Sequence, residues 1–229
     1  MEYSKQWLQD VPRMIDISCV KANSTWEDVQ QAIEAAKKYR FICVFSMPFF
    51  TRRVVEALVD EPDIITGGTT GFPSGADLTE AKVLQAREFV KMGCSEIDMV
   101  IQVGAFLSGE YDLVADDIRR VVDAAEGLPV KTIIEAPYLT LDQVKKASEI
   151  AAASGASFVK TSTGWPGVKT TPEVIRAIKS VVGNDLKIKA AGGIRDLATI
   201  QALASEGCSR FGLGLPGAMK VIEEIQQIL

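Results

Sequence analysis

The chain has no histidine among its 229 residues. Histidine is the general base of Ser-His-Asp and Cys-His enzymes and a ligand in the usual zinc sites of enzymes. Its absence excludes those catalytic groups, and we expect no bound metal. Any acid–base chemistry must therefore be carried out by Lys, Asp, Glu, Tyr or water.

Cysteines, long apolar runs and blocks of like charge are also scarce. The four cysteines form no Cys-x-x-Cys pair, which indicates reduced thiols in a cytoplasmic protein. No stretch approaches the ~20 apolar residues of a membrane span, and the N-terminus has no apolar signal core. The net charge of −5 argues against nucleic-acid or anionic-membrane partners, although a local cationic pocket is compatible with it.

Short runs rich in Val and Ile alternate with longer amphipathic stretches, a pattern typical of parallel strands covered by helices. The predicted strands are Met14–Ile17, Ile42–Phe45, Ile64–Thr66, Ile97–Ile101, Val130–Ile134, Phe158–Thr161, Leu186–Ala190 and Phe211–Leu213. The predicted helices include Leu78–Met92, Leu113–Ala125, Leu141–Ala153, Leu197–Ser205 and Val221–Leu229. Two more helices have start signals, a capping box at Ser24–Glu27 and a proline in Thr171–Glu173.

Eight strand–helix units in a chain of this length predict an α/β protein with a (β/α)8 TIM-barrel fold. The alternative is a doubly wound open sheet, but no Gly-x-Gly-x-x-Gly motif follows the first strand. No linker or low-complexity segment divides the chain. We therefore predict one domain over residues 1–229, with residues 1–12 as a short N-terminal lead-in.

Charged residues occur inside the predicted strands, where a barrel interior would otherwise be apolar. Because side chains alternate along a strand, Asp98, Lys160 and Lys189 are expected to point inward. The same alternation places Lys131 and Glu135 on one face of the fifth strand. One alternative is a buried ion-pair network that only fixes strand register. Three such residues near the carboxyl ends of neighbouring strands favour an active site instead, because barrel enzymes react at that end.

Two neighbouring lysines have a specific chemical use. A lysine attacks a carbonyl only as the neutral amine, which is rare at pH 7 when the pKa is near its ordinary ~10.4. A second ammonium and partial desolvation lower that pKa. One of Lys160 and Lys189 could then attack a carbonyl carbon as the neutral amine, while Asp98 moves protons directly or through a water.

Several segments resemble motifs of the deoxyribose-phosphate aldolase family. The similarity extends from about Asp16 to Arg210. Phe158–Gly164 resembles the family's nucleophile strand, and Glu96–Val100 resembles its catalytic aspartate strand. Lys187–Arg195 resembles the strand that carries the second lysine. Two further matching segments are the loop Thr70–Gly75 and the segment Ser108–Tyr111.

The resemblance implies a lyase that reversibly cleaves 2-deoxy-D-ribose 5-phosphate to D-glyceraldehyde 3-phosphate and acetaldehyde without a cofactor. It assigns the Schiff base to Lys160, the tuning of its pKa to Lys189 and the proton shuttle to Asp98. The expected substrate-binding residues and their supporting polar network are Asp16, Lys131, Thr163, Gly164, Gly192, Gly193 and Gly214. Barrels of this kind often form dimers, so a homo-oligomer is compatible with the sequence.

The chain departs from the family pattern at the substrate end. The loop Gly212–Gly217 has Gly and Leu where the family carries small hydroxyl residues, and Trp165 either packs its loop or reshapes the pocket. One alternative is therefore a related Schiff-base aldolase acting on a different or non-phosphorylated sugar. A second alternative is a non-catalytic barrel with a binding or regulatory role.

Overall fold

The computed structural model describes residues 3–229, and within this range eight parallel strands close into a single barrel. Neighbouring strands follow the order of the chain, and β1 pairs with β8 to complete the ring. The strands are β1 Ile15–Cys19, β2 Cys43–Ser46, β3 Ile65–Thr70, β4 Glu96–Val100, β5 Val130–Ile133, β6 Phe158–Lys160, β7 Lys187–Ala191 and β8 Arg210–Leu213. The predicted (β/α)8 barrel is confirmed.

The helices are α1 Lys5–Asp10, α2 Trp26–Tyr39, α3 Pro48–Ala57, α4 Thr79–Met92, α5 Val103–Leu107, α6 Tyr111–Ala124, α7 Leu141–Ala153, α8 Pro172–Val182, α9 Leu197–Ser205 and α10 Leu215–Ile228. Helix α1 precedes β1, α10 follows β8, and the other helices connect successive strands. Short 3-10 helices span Val11–Met14 and Ala136–Tyr138. Of the predicted lead-in over residues 1–12, residues 1 and 2 lie outside the described range.

Four predicted helix starts differ from the structure. Helix α4 begins at Thr79 rather than Leu78, and α6 begins at Tyr111 rather than Leu113. The capping box of α2 is formed by Thr25 and Asp28, one residue later than predicted: the Thr25 hydroxyl accepts from the Asp28 amide, and the Asp28 carboxylate accepts from the Thr25 amide at 2.8 Å. Helix α10 begins at Leu215 rather than Val221. Pro216 suits the first turn because its missing N–H is not needed there, whereas Gly217 interrupts the apolar pattern on which the prediction relied.

Strand alternation separates an apolar outer layer from a charged interior. Ile97 and Met99 of β4 join the hydrophobic core beneath the helices, whereas Asp98 between them does not. Register places Asp98 beside Lys131 and Lys160 beside Lys189. Neighbouring parallel residues project the same way, so the barrel itself gathers these charges.

No helix among the described residues is long and apolar enough to cross a membrane. The cysteines are free and buried. Burial raises the pKa of both Cys94 and Cys208 to about 12, so these thiols stay protonated at neutral pH.

Candidate active site

A cluster of ionisable side chains fills the centre of the barrel. Its members are Asp16, Glu96, Asp98, Lys131, Lys160, Lys189 and Arg210, and we call them the central cluster. All of them are buried except Arg210, whose side chain is 11% exposed. Burying charges is costly unless they are paired, and each member of the central cluster contacts at least one opposite charge.

The upper part of the central cluster joins two lysines through one carboxylate. Asp98 Oδ2 accepts hydrogen bonds from Lys160 Nζ and from Lys189 Nζ, both at 2.7 Å. Lys189 Nζ also lies 2.6 Å from Asp16 Oδ2. The structure therefore brings together the three residues that strand alternation selected.

The lower part of the central cluster supports the upper part. Arg210 donates to Asp16 Oδ1 through Nε at 2.9 Å and to Glu96 Oε1 through an Nη at 3.0 Å. Lys131 forms an ion pair with Glu96, and its Nζ lies 3.7 Å from Asp98 Oδ1. Glu96 shares the inward phase of Asp98, so alternation could have predicted it. Arg210 is the first residue of β8 and lies outside the strand predicted from sequence, so the direction of its side chain was not predicted.

The charge balance of the central cluster favours one neutral lysine. Three carboxylates face four basic groups, so full ionisation leaves one uncompensated positive charge in the barrel interior. Burial lowers the pKa of Lys160 to about 8, against the opposing attraction of Asp98 and with help from the nearby Lys189 ammonium. Lys160 is therefore the member of the central cluster that most readily supplies an uncharged amine.

Lys189 behaves in the opposite way. Burial alone would lower the pKa of Lys189, but Asp16 and Asp98 together raise it above its ordinary value. The centroid of the Phe45 ring lies 4.1 Å from Lys189 Nζ, and the ring adds a cation–π contact. A Cβ at Gly67 would overlap that ring, so glycine is needed there to leave room for Phe45. Lys189 therefore remains an ammonium.

A cavity of about 580 Å³ opens above Lys160 at the carboxyl ends of the strands. Lys160 and Asp98 contribute to its lining. The predicted residues Thr163, Gly164, Gly192, Gly193 and Gly214 also line it. Asp16 and Lys131, which were predicted to bind substrate or support the polar network, are fully buried in the central cluster and do not line the cavity.

Three basic side chains that the sequence prediction missed also line the cavity: Lys21, Arg195 and Lys220. They come from three separate segments of the chain, and only the closed barrel brings them to one cavity. Gly214 caps the N-terminus of α10, where backbone N–H groups and the helix dipole favour an anion. One region of the cavity is therefore suited to a negatively charged group.

A family model described as "DeoC/LacD family aldolase" matches residues 15–209. The chain belongs to this aldolase family. It is 42% identical over 217 residues to a deoxyribose-phosphate aldolase of Klebsiella pneumoniae, covering 94% of this chain and 87% of the relative. It is 41% identical to a deoxyribose-phosphate aldolase of Coprothermobacter proteolyticus, with 93% and 96% covered.

Solved structures of similar proteins agree with this assignment. The aldolase QR15 has a TM-score of 0.88 and 32% identity, with 95% of this chain and 96% of that chain covered. A deoxyribose phosphate aldolase from Aeropyrum pernix, described as a unique tetramer, has a TM-score of 0.86 and 26% identity, with 97% and 93% covered. The family resemblance and the assignment as a lyase are confirmed, which rules against a non-catalytic barrel.

The aldolase has a buried group of metal-ligand type whose chemistry does not suit a metal. Single ligand atoms of Asp16, Cys43 and Glu96 lie within 4.8 Å of one another. Both carboxylates already contact cationic side chains, including Arg210. Burial holds the pKa of the Cys43 thiol well above its ordinary value, so the thiolate that a metal needs is disfavoured.

Glu135 holds the segment that follows Lys160 in the aldolase. It has a left-handed backbone (φ 52°), which is unusual for a residue other than glycine. Its buried carboxylate accepts hydrogen bonds from the Thr163 amide at 3.0 Å, the Thr163 hydroxyl at 2.6 Å and the Ser162 hydroxyl. Strain at such a position is tolerated when surrounding contacts enforce it. Glu135 therefore positions Thr163 at the cavity wall.

We predict that Glu135→Ala loosens this wall without removing the reactive amine. The variant leaves the buried Thr163 amide without an acceptor, which costs about 2 kcal/mol of unfolding free energy and lowers Tm by roughly 4–8 °C. KM should rise about tenfold, whereas imine formation at Lys160 should persist. Glu135→Gln keeps one acceptor oxygen and is the matched control. Thermal unfolding and steady-state kinetics of both variants check this; an Ala variant as stable and active as wild type would contradict the role of Glu135.

Proposed function

We propose that this aldolase is a class I deoxyribose-phosphate aldolase that cleaves 2-deoxy-D-ribose 5-phosphate through a Schiff base on Lys160. The observation that carries the proposal is the lowered pKa of Lys160, which lines the cavity and whose amine shares Asp98 Oδ2 with the Lys189 ammonium. The named relatives are deoxyribose-phosphate aldolases, which supports this substrate. Localisation in the cytoplasm and assembly into a homo-oligomer remain predictions.

In the first half of the reaction, the neutral Lys160 amine adds to the C1 aldehyde carbon of the open-chain sugar. The C1 oxygen takes up protons and leaves as water, which gives a protonated imine. A base then removes the proton of the C3 hydroxyl, and the electrons of the C2–C3 bond move to the imine. This step releases glyceraldehyde 3-phosphate and leaves an enamine. The positive imine nitrogen lowers the barrier because it accepts those electrons.

In the second half, the enamine carbon C2 takes up a proton, water adds to the resulting imine, and acetaldehyde leaves with the Lys160 amine restored. Asp98 is placed to move these protons. Burial alone would raise the pKa of Asp98, but Lys160, Lys189 and then Lys131 lower it, so it starts as a carboxylate base. Its second oxygen, Oδ1, is buried and has no hydrogen-bond partner among the described residues. That oxygen is free to accept a proton directly or through a water.

Basic side chains support a phosphorylated substrate despite the missing hydroxyl residues. The glycines at 192 and 193 both have left-handed backbones (φ 100° and 69°), and a Cβ at either would meet backbone atoms at 3.0 Å. These loops suit close approach of an anion to backbone amides, and Arg195 and Lys220 supply charge nearby. We propose that this region holds the substrate phosphate.

We predict that Lys220→Ala raises KM for 2-deoxyribose 5-phosphate about tenfold, the effect of losing one charge-assisted contact. Cleavage of non-phosphorylated 2-deoxyribose should change less than twofold, since that substrate lacks the anion. Lys91→Ala removes a lysine whose side chain is 66% exposed on α4 and serves as the matched control. Steady-state kinetics on both sugars measure the difference.

A substrate panel tests the proposed reaction itself. Wild-type protein should release glyceraldehyde 3-phosphate and acetaldehyde from 2-deoxyribose 5-phosphate, detected by coupled oxidation or reduction of each product. The phosphorylated sugar should be preferred by at least tenfold in kcat/KM. Equal efficiency on non-phosphorylated 2-deoxyribose would instead favour the aldolase for a non-phosphorylated sugar, which the Gly and Leu residues of the last loop also suit.

A further inference from the structure

Trp165 links three loops above the barrel of the aldolase. It lies in the loop after β6, and its own amide donates to the Thr163 hydroxyl at 3.1 Å. Its indole Nε1 donates to the carbonyl of Val20, in the loop after β1, at 3.0 Å. Its ring meets Phe72, in the loop after β3, edge-to-face with centroids 6.1 Å apart. The single donor of the indole is therefore used to fix the orientation of the ring.

Trp165 lines two separate cavities. One is the cavity of about 580 Å³ that contains Lys160. The other is a cleft of about 280 Å³, which we call the side cleft. Besides Trp165, its lining includes Pro73, Ser74, Val103, Tyr138 and Pro166. Among the described residues, Trp165 is the one that lines both the active-site cavity and the side cleft.

The side cleft has the chemistry of a site for an apolar or aromatic group. Its lining is mostly proline, valine and aromatic side chains. The charged residue at its wall, Glu135, already accepts three hydrogen bonds from Ser162 and Thr163, so it does not require a cation. A ring or alkyl chain that entered the side cleft would bury apolar surface at little polar cost.

We propose that Trp165 determines which aldehydes the enzyme accepts, because its ring closes the active-site cavity against the side cleft. In the synthetic direction, acetaldehyde condenses with the Lys160 amine with loss of water, and loss of a proton from the imine gives the enamine. The enamine carbon attacks the carbonyl carbon of an acceptor aldehyde, whose oxygen takes up a proton. Water then adds to the resulting imine, which releases the aldol product and restores the Lys160 amine. Short acceptors fit within the cavity, whereas acceptors with a bulky apolar tail meet the Trp165 ring. This inference rests on the proposed Schiff-base function and adds the acceptor specificity of the same site.

The test compares propanal with 3-phenylpropanal as acceptors for acetaldehyde. In Trp165→Ala, the kcat/KM ratio of 3-phenylpropanal to propanal should rise at least tenfold over wild type, because the tail enters the side cleft. Trp165→Leu should give a smaller gain in the same direction. Trp165→Phe keeps an aromatic partition while losing the hydrogen bond to Val20, so its ratio should stay within threefold of wild type.

A double variant identifies the source of the gain. Adding Val103→Phe to Trp165→Ala fills the side cleft and should return the ratio to near the wild-type value, with propanal little affected. A gain that survives Val103→Phe would overturn the assignment of the side cleft. An unchanged ratio in both Trp165→Ala and Trp165→Leu would overturn the role of Trp165.

Borohydride trapping with acetaldehyde separates this inference from the proposed function. If wild-type protein forms no adduct on Lys160, the Schiff-base proposal fails. If wild type forms the adduct and the Ala, Leu and Phe variants all fail to form it, Trp165 supports the fold of the site rather than its specificity, and the inference is overturned. Adducts in every protein, with ratios that follow side-chain size, are the expected result.

Discussion

Replacing Lys160 with leucine should abolish turnover while leaving the barrel folded. Without the amine no imine forms, and the expected loss in kcat is roughly 10⁵-fold or more, comparable to removal of other covalent nucleophiles. The fold should tolerate the change because the central cluster then has equal numbers of carboxylates and cations, and Asp98 keeps its contact with Lys189. Sugar cleavage and thermal unfolding measure the two effects.

Lys160→Arg is the control variant that separates loss of the charge from loss of the reactive amine. Arginine keeps the positive charge but is never neutral near pH 7, so it should be as inactive as leucine. If the Leu variant retained a wild-type rate, Lys160 could not be the nucleophile. If it were inactive only because it failed to fold, its cooperative unfolding transition would be absent; we expect that transition to be at or above the wild-type temperature.

Replacing Lys189 with leucine should lower activity about 100-fold at pH 7 and displace the pH profile. The Lys189 ammonium is one of the groups that lower the pKa of Lys160, and its removal also leaves Asp98 to attract Lys160 alone. Both changes favour the charged form of Lys160, so its pKa should rise from about 8. A rise of about two pKa units lowers the neutral fraction at pH 7 about 100-fold.

The direction in which the pH profile moves decides whether Lys189 acts through the pKa of Lys160. Activity depends on the unprotonated amine, so the rising limb of the pH profile should move to higher pH, and part of the lost rate should return under alkaline conditions. Lys189→Arg retains the charge and should keep the limb near its wild-type position. A Leu variant whose limb stayed in place, or moved to lower pH, would show that Lys189 does not act through the pKa of Lys160.

The barrel and its inward charges followed from sequence because both depend on local periodicity. Apolar strands alternating with amphipathic helices predict the fold, and a period of two residues along β4 separates Asp98 from its apolar neighbours. Helix α10 was misplaced because Pro216 and Gly217 hide its first turn. Helix α3 was missed because Phe49 and Phe50 open it without a polar cap.

The basic side chains that line the cavity could not be predicted in the same way. Lys21, Arg195 and Lys220 lie far apart in the chain, and each is an ordinary basic residue until barrel closure brings its loop to the cavity. The sequence also could not show that Asp16 and Lys131 lie too deep in the barrel to reach the cavity. Strand alternation predicts the direction of a side chain but not its height along the barrel axis. The position of Trp165 depends on contacts among three loops, none of which follows from periodicity.

Reductive trapping tests the central claim most directly. Protein incubated with acetaldehyde and borohydride should gain one ethyl group, and peptide mapping should locate it on Lys160, with a trapping rate that increases with pH around a midpoint near 8. Lys160→Leu should gain none under the same conditions. An ethyl group found only on Lys189 or on exposed lysines, or no adduct at all, would contradict the assignment of Lys160 as the Schiff-base residue.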